Sequence, residues 1–358
     1  MKLFTLGPVS MDRETLDLGL QQLPYFRDDG FTAVNLEITR LLKNFLRTDV
    51  STRLAMLSTS GTGAMEAAVS QTFTQSDRLL IINGGTFGQR FVDICKIYKI
   101  PHDVLSVSPE EGFSEHLLAP YEDECYTGVL INIHETSIGR LYPIDIVSRF
   151  AKRHAATLVV DAIGSFMADT YEMDNWGADI SIFSSHKGLS VAPGISFVAI
   201  NEQTWSEKVE RNPQVSYYMD LRSHVQQMDR GQTPYTPSVS VIVQLYDKLS
   251  RIESFGLDGF LSNVRELAEY FRDGLTNLPL HLPSYTVSNA LTPILLPKDN
   301  AKAVYSSLRD QYGIMINPCS GDFAANMLRV GHIGALSTQD YDVLLDALSR
   351  LLREPYVQ

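Results

Sequence analysis

Short β-branched and aliphatic runs alternate with stretches of helical character from about residue 54 to residue 200. The runs predict strands at Leu54–Leu57, Leu79–Ile82, Val104–Val107, Val129–Ile133, Leu158–Val160, Ile180–Phe183 and Ile195–Ile200. Helices are predicted near 63–74, 87–98 and 144–154. This alternation is typical of a mainly parallel sheet that is covered by helices on both faces and binds ligands at the carboxyl ends of its strands. The sequence therefore predicts an α/β fold with a site at one edge of the sheet.

The length of 358 residues exceeds the usual size of one domain. We expect an N-terminal arm at residues 1–15, a large domain at 16–245 and a smaller C-terminal α/β domain at 246–358. Further elements are predicted as helices near 239–255, 257–275 and 338–352 and as strands at Ile294–Leu296, Ile314–Ile316 and Met327–Val330.

The composition excludes several classes of function. A formal net charge of −12 argues against a general nucleic-acid surface or an anionic-membrane surface. The cysteines Cys95, Cys125 and Cys319 are widely spaced and form no CxxC pair, which predicts no disulfide framework and no metal site. Gly7 and Pro8 interrupt the N-terminus before a signal-peptide core develops, and no apolar run has the length of a membrane span. We therefore expect a cytoplasmic protein.

Two charged residues stand at the ends of predicted strands. Lys187 follows the Ile180–Phe183 run, where an amine partly withdrawn from water loses its proton more readily and can attack an aldehyde cofactor or a carbonyl substrate. An exposed loop lysine would explain the same stretch. Asp161 directly follows the Leu158–Val160 run. An acid and a lysine at two strand ends favour a shared site over two independent loop residues.

The turn Ser60-Gly61-Thr62-Gly63 lies between a predicted strand and a predicted helix. Its backbone N–H groups and hydroxyls suit a phosphate at a helix N-terminus, although a plain tight turn that caps the helix explains it as well. No acid follows about twenty residues later to bind a ribose, and no Gly-Lys pair marks a P-loop. The turn therefore predicts, at most, a phosphate that is not part of a dinucleotide.

Three further residues have both a functional and a structural interpretation. Phe87 can stack on a flat ring or be an ordinary buried aromatic residue. Arg329, in an apolar run, needs an anionic partner, which is either a structural carboxylate or a ligand carboxylate. Glu135 belongs to the segment 134–139, which is not an HExxH motif because Ile138 replaces the second histidine, and helix capping explains it better than catalysis.

In their order and spacing, these segments resemble the class V, fold-type I aminotransferases that use pyridoxal 5′-phosphate. Within that class they are most similar to the 2-aminoethylphosphonate–pyruvate and alanine–glyoxylate transaminases. The shared motifs are Gly7-Pro8, Ser60-Gly-Thr-Gly-Ala-Met-Glu66, Asn83-Gly-Gly-Thr-Phe-Gly-Gln-Arg90, His134-Glu-Thr-Ser-Ile-Gly139, Val160-Asp-Ala-Ile-Gly-Ser165, Ser184-Ser-His-Lys187, Thr236-Pro-Ser238 and Arg329-Val-Gly-His-Ile-Gly334. The resemblance implies a large, mainly parallel sheet domain sandwiched by helices, a smaller C-terminal domain, and a homodimer with shared active sites.

The resemblance also implies a role for each matching residue. Lys187 would hold the cofactor covalently and transfer the substrate proton, and Asp161 would keep the pyridinium nitrogen protonated. Phe87 would stack on the ring, and Thr136 or Ser137 would approach the phenolic oxygen. The remaining implied contacts are Ser60, Gly61, Thr62, His186 and Thr236 of the partner subunit around the phosphate, and Arg329 and Gly7 around the substrate. A second anionic group on the substrate would need another cation, for which Arg27 and Arg230 are the candidates.

The chain departs from these relatives at His186, where they carry Gln or Asn, and in the loop Tyr25–Gly30. The expected reaction moves an amino group from a small donor of the 2-aminoethylphosphonate, alanine or serine type to a small 2-oxo acid such as pyruvate or glyoxylate. One alternative is a cysteine desulfurase or β-lyase that uses Cys319 as the thiolate. Another is a regulatory module that binds the cofactor without turnover, although such modules carry an added nucleic-acid-binding domain, for which this acidic chain has no room.

Overall fold

A computed structural model describes residues 1–109 and 111–353. The strands are Lys2–Leu3 (β1), Arg53–Leu57 (β2), Leu79–Asn83 (β3), His102–Ser106 (β4), Gly128–Asn132 (β5), His134–Glu135 (β6), Arg140–Leu141 (β7), Thr157–Asp161 (β8), Ile180–Ser184 (β9), Ser196–Ile200 (β10), Leu291–Leu295 (β11), Ile314–Met315 (β12), Asn317–Pro318 (β13) and Met327–Gly331 (β14). The helices are Arg13–Leu18 (α1), Asp29–Leu46 (α2), Gly61–Thr72 (α3), Thr86–Tyr98 (α4), Ile144–Arg153 (α5), Met173–Trp176 (α6), Glu202–Thr204 (α7), Leu221–Met228 (α8), Val239–Phe255 (α9), Leu257–Gly274 (α10), Ala301–Tyr312 (α11) and Thr338–Arg353 (α12).

A seven-stranded sheet in the order β2-β10-β9-β8-β5-β3-β4 forms the centre of the molecule. Its neighbouring strands are parallel, except that β10 runs antiparallel to both β2 and β9. Each strand lies within two residues of its predicted bounds, which confirms the α/β fold. The carboxyl ends of β3, β5, β8 and β9 consequently meet at one edge of the sheet.

Buried side chains on both faces of the sheet explain why its strands read as nearly continuous apolar runs. In β5, Val129 and Ile131 pack into one layer while Leu130 packs into the layer on the opposite face. The first layer includes buried residues of α2 and α9, and the second includes buried residues of α3 and α4. Successive side chains along each strand therefore pack into two separate cores, one on each face of the sheet.

A third core lies in the C-terminal part of the chain. Strands β11, β14 and β13 form an antiparallel sheet, and α10, α11 and α12 contribute buried residues to its core. The first residues of the chain belong to this region, because β1 pairs in parallel with β12 and Gly331 N donates to Phe4 O at 2.8 Å. The division at residues 15 and 245 stays a prediction.

Within the described ranges, no helix is both long enough and apolar enough to cross a membrane.

Candidate active site

A cavity of about 260 Å³ opens at the edge where the carboxyl ends of the central strands meet. Eight residues that the sequence analysis selected line this cavity: Ser60, Gly61, Thr62, Phe87, Thr136, Asp161, His186 and Lys187. Four further residues complete the lining: Arg90, His134, Ile163 and Gly164. The fold therefore gathers side chains from segments more than a hundred residues apart into one site.

Lys187 follows β9 and projects toward the N-terminal arm. A Cβ atom at Gly7 would lie 3.0 Å from both Cε and Nζ of Lys187, and Gly7 has a φ of +151°, so this contact requires glycine. Removal from water lowers the pKa of Lys187 to about 8; Asp161 opposes this effect, while Arg329 and Arg90 add to it. More of the amine is consequently neutral, and so nucleophilic, than in an ordinary lysine.

Asp161 ends β8 and is 5% exposed. Its carboxylate accepts a hydrogen bond from Ile163 N at 2.9 Å. Burial raises the pKa of Asp161 to about 7, against the lowering effects of this hydrogen bond, Arg90 and Lys187. A carboxylate with few donors in a water-poor cavity is suited to a positively charged or proton-bearing group of a ligand.

The turn at residues 60–63 forms the start of α3. Ser60 has an extended backbone and makes no side-chain cap bond, and its carbonyl accepts from Gly63 N at 2.9 Å and Ala64 N at 3.3 Å. Arg90 donates to the Thr62 hydroxyl at 2.7 Å, which brings a cation to the same turn. A Cβ atom at Gly61 would lie 2.4 Å from Cδ1 of Ile163, so any larger residue here would force the Ile163 side chain to shift. An open helix N-terminus beside an arginine suits a phosphate.

Glu135, although wholly buried, belongs to the scaffold of the site. The residue before α4 is Gly85, which has no side chain to cap the helix. Glu135 replaces the missing cap, since its carboxylate accepts from Phe87 N at 3.2 Å and Gly88 N at 3.1 Å. It also accepts from Asn132 Nδ2 at 3.0 Å and from the Ser137 hydroxyl at 2.5 Å. This agrees with the capping interpretation drawn from the sequence.

Glu135 also positions two of the segments that the sequence predicts near a cofactor ring. Glu135 fixes the backbone that carries Phe87, and the Arg90 guanidinium lies 4.5 Å from the centre of the Phe87 ring. The Ser137 hydroxyl is occupied by Glu135, whereas Thr136 lines the cavity. Of the two residues predicted near a phenolic oxygen, Thr136 is therefore the one that faces the ligand space.

Two histidines in the lining are neutral near pH 7. Burial lowers the pKa of His186 to about 4, and Lys187 adds to this effect. Burial also lowers the pKa of His134 to about 3. His186 is thus expected to meet a phosphate through hydrogen bonding and not as a cation.

Arg329 approaches the site from the C-terminal sheet. Its guanidinium donates to Thr136 O at 2.7 Å and Pro318 O at 2.5 Å. Among the described residues it has no carboxylate partner within ion-pair distance, and its Nε makes no hydrogen bond. The expectation of a structural carboxylate is therefore wrong within this part of the chain, because carbonyl oxygens accept the N–H groups instead, and the ligand carboxylate stays a prediction.

Cys319, the residue behind the desulfurase alternative, lies outside the cavity lining. Its thiol donates to Ser137 O at 3.6 Å. Burial raises the pKa of the Cys319 thiol, against the opposite effect of Arg329. A buried, protonated thiol is a poor nucleophile.

Two predicted contacts lie away from this cavity. Arg27 donates to Gln232 Oε1 at 3.1 Å and Thr233 O at 2.7 Å, which ties its loop to residues 231–238. Thr236 is exposed and lines a separate groove with Ser58. A substrate role for Arg27 and a contribution of Thr236 across a dimer both stay predictions.

Sequence reasoning assigned no role to Arg90 or His134. A signal for Arg90 was its position three residues after Phe87 on one predicted helix, which places the two side chains on the same face. His134 gave no comparable signal, because its partner Gly164 is remote in sequence.

The residues around the cavity fit a flat ring that carries an aldehyde and a phosphate. An amine such as that of Lys187 suits an aldehyde, an acid such as Asp161 suits a ring nitrogen, and the open helix N-terminus at Ser60 suits a phosphate.

Comparison with known proteins agrees with this chemistry. The profile of the family described as aminotransferase class-V matches residues 42–335. The 2-aminoethylphosphonate–pyruvate transaminase of Vibrio vulnificus is 28% identical, with 98% of this chain and 97% of that protein aligned. A soluble hydrogenase 42 kDa subunit of Anabaena cylindrica is also 28% identical, with 97% and 92% aligned. The crystal structure of an alanine–glyoxylate aminotransferase from Nostoc sp. superposes with a TM-score of 0.91 at 26% identity, covering 98% of this chain and 95% of that one.

Proposed function

The chain belongs to the class-V aminotransferase family, and from that premise we propose that it moves an amino group from a small donor to a small 2-oxo acid such as pyruvate or glyoxylate. The proposed donor is of the 2-aminoethylphosphonate, alanine or serine type. The observation that carries the proposal is that Lys187, Asp161 and the phosphate-type turn at Ser60 share one cavity. The names of the Vibrio and Nostoc relatives support the choice of acceptor.

The proposed cofactor is pyridoxal 5′-phosphate. When bound, it supplies an aldehyde for the amine and a protonated ring that withdraws electrons from the substrate. In this chain, Lys187 would hold the aldehyde carbon, Asp161 the ring nitrogen and Phe87 the ring face. The residues proposed to hold the phosphate are Ser60, Gly61, Thr62 and His186.

Lys187 and Arg329 are the proposed substrate-facing residues. With its pKa lowered to about 8, Lys187 Nζ can take a proton from the substrate α-carbon and later return one. Arg329 is partly buried, lacks a carboxylate partner in the described ranges and has a free Nε, so a substrate carboxylate would complete its hydrogen bonds. The carboxylate of a 2-oxo acid meets this requirement.

We also propose that two chains associate, with Thr236 of the partner subunit completing the phosphate site. The exposed aromatic residues Tyr217 and Tyr218 lie close to Tyr235, next to Thr236 in the chain, and would be covered in a dimer. Sedimentation measures the mass in solution, and Thr236→Ala is expected to weaken cofactor binding. A monomer that retains full activity would contradict this part.

The central experiment is a cofactor titration followed by a donor screen. The purified protein should develop the visible absorbance of lysine-bound pyridoxal 5′-phosphate, and borohydride followed by peptide mass analysis should locate the label at Lys187. Candidate donors are then tested for conversion of the cofactor to its amine form in the absence of acceptor. Lys187→Ala is the matched control. It should show neither the absorbance of the lysine-bound cofactor nor the borohydride label, and it should not convert the cofactor to its amine form. A wild-type protein that binds no cofactor would refute the proposal.

A further inference from the structure

His134 is held in one orientation and one tautomer. Its ring is 3% exposed, and Nδ1 lies 2.8 Å from Gly164 O. A carbonyl oxygen accepts hydrogen bonds only, so Nδ1 carries the proton and Nε2 presents a lone pair. A Cβ atom at Gly164 would lie 2.9 Å from Nδ1, so the close approach of the ring depends on this glycine.

The other ring nitrogen is left without a partner. Nε2 of His134 is buried and makes no hydrogen bond to any residue that the structure describes. Protonation does not relieve this, because burial, together with the nearby positive charges of Lys187 and Arg329, lowers the pKa of His134 to about 3. Buried polar atoms in folded proteins are almost always paired, and His134 is one of the residues that line the cavity, so its unpaired nitrogen indicates a ligand group.

We infer that Nε2 of His134 accepts a hydrogen bond from an O–H or N–H group of the molecule bound in the cavity. The inference rests on the proposed function, since it supplies the bound molecules. Two sources present such a donor: the ring hydroxyl of the cofactor and the amino group of the substrate. Thr136, also in the lining, can both donate and accept. His134 can only accept, so it favours the protonated form of whichever group it meets.

Two substitutions distinguish the hydrogen bond of Nδ1 from the one proposed for Nε2. In His134→Asn, the side-chain amide stands near the position of Nδ1 and can still donate to Gly164 O, but nothing replaces Nε2. In His134→Gln, the longer side chain brings its amide to the position of Nε2, where the oxygen can accept.

If the ring hydroxyl is the source, the Asn variant should bind pyridoxal 5′-phosphate roughly tenfold more weakly, the size expected for one hydrogen bond. Its absorbance should also shift from the band of the protonated hydroxyl toward that of the anionic form, and the Gln variant should lie closer to wild type.

If the substrate is the source, cofactor affinity and absorbance stay unchanged in His134→Asn. The donor concentration for half-maximal conversion of the cofactor should then rise roughly tenfold. Either result supports the inference. Unchanged cofactor affinity, absorbance and donor dependence in a correctly folded Asn variant would overturn it.

A measurement on the unsubstituted protein covers the case in which the variants do not fold. With ¹⁵N-labelled histidine, the Nε2 resonance of His134 should move from the value of an unpaired nitrogen when pyridoxal 5′-phosphate, or the cofactor with donor, is added. A resonance that moves with neither would overturn the inference while leaving the proposed function intact. A wild-type protein that binds no cofactor at all would overturn the proposed function and this inference together.

Discussion

Two buried carboxylates, Glu135 and Asp161, lie beside the ends of neighbouring strands, yet their surroundings are opposite. Glu135 accepts hydrogen bonds from backbone N–H groups of α4, from Asn132 and from Ser137. Asp161 accepts from Ile163 N, lines the cavity and has a pKa raised to about 7. A carboxylate whose bonds are satisfied by the protein stabilises the fold, whereas one with spare acceptor capacity in a cavity is available to a ligand.

The largest effect on activity is expected when Asp161, and not Glu135, is substituted. In Asp161→Asn, amino transfer should fall on the order of a thousandfold, because the residue proposed to hold the ring nitrogen loses its negative charge. The free energy of unfolding should not fall, since a poorly solvated acid is replaced by a neutral group. Half-reaction rates and urea unfolding measure the two quantities. Wild-type rates in this variant would show that Asp161 has no ligand role.

The pH dependence of stability sharpens the same contrast. The pKa of Asp161 is about 7 in the folded chain and 3.8 ordinarily, so between these values the folded protein binds a proton that the unfolded chain has released. The contribution of Asp161 to stability is therefore full below about pH 4 and is lost as pH rises through 7.

Without cofactor, the free energy of unfolding of wild type relative to Asp161→Asn should fall by about 3 kcal/mol from pH 5 to pH 8. Urea unfolding at each pH provides the test. A difference that stays constant, or that grows with pH, would contradict the assigned environment of Asp161.

The scaffold role of Glu135 predicts a loss of stability. Glu135→Gln should lower the free energy of unfolding by about 2 kcal/mol, because an amide cannot accept from the α4 N–H groups and the Ser137 hydroxyl as a carboxylate does. Amino transfer by the folded fraction should fall by less than about tenfold, since Phe87 shifts but the reacting groups remain. If activity fell as far as in Asp161→Asn with stability unchanged, the two carboxylates would not differ as described.

The smallest effect is expected at Cys319. Cys319→Ser should leave amino transfer within about twofold of wild type, because a hydroxyl can donate to Ser137 O as the thiol does. Neither protein should release sulfide from cysteine. Sulfide release that disappears in the serine variant would instead support the desulfurase alternative.

Much of the fold and of the cavity lining could be predicted from the sequence. The seven central strands lie where β-branched runs predict them, since a sheet buried on both faces needs such runs. Parallel strands place their carboxyl ends together, and the sequence therefore predicts a shared site for Asp161, Lys187 and the Ser60 turn.

The remaining features depend on contacts between segments that are distant in sequence. Arg329 and His134 both bind backbone carbonyls, of Thr136 and Gly164 respectively, and carbonyls carry no sequence signature. The division of hydroxyl roles between Thr136 and Ser137 depends on which of them Glu135 contacts. Three-dimensional placement alone distinguishes such partners.

The first seven residues contact both the C-terminal region and the lysine at the cavity. β1 is hydrogen-bonded to β12, while Gly7 packs against the side chain of Lys187. Because the same short arm contacts both β12 and the Lys187 side chain, a displacement of β1 is expected to change the free space around the lysine amine. A bulky protein fused before Met1 would displace this arm, and the surroundings of the Lys187 amine would then change although no residue in the cavity lining had been substituted.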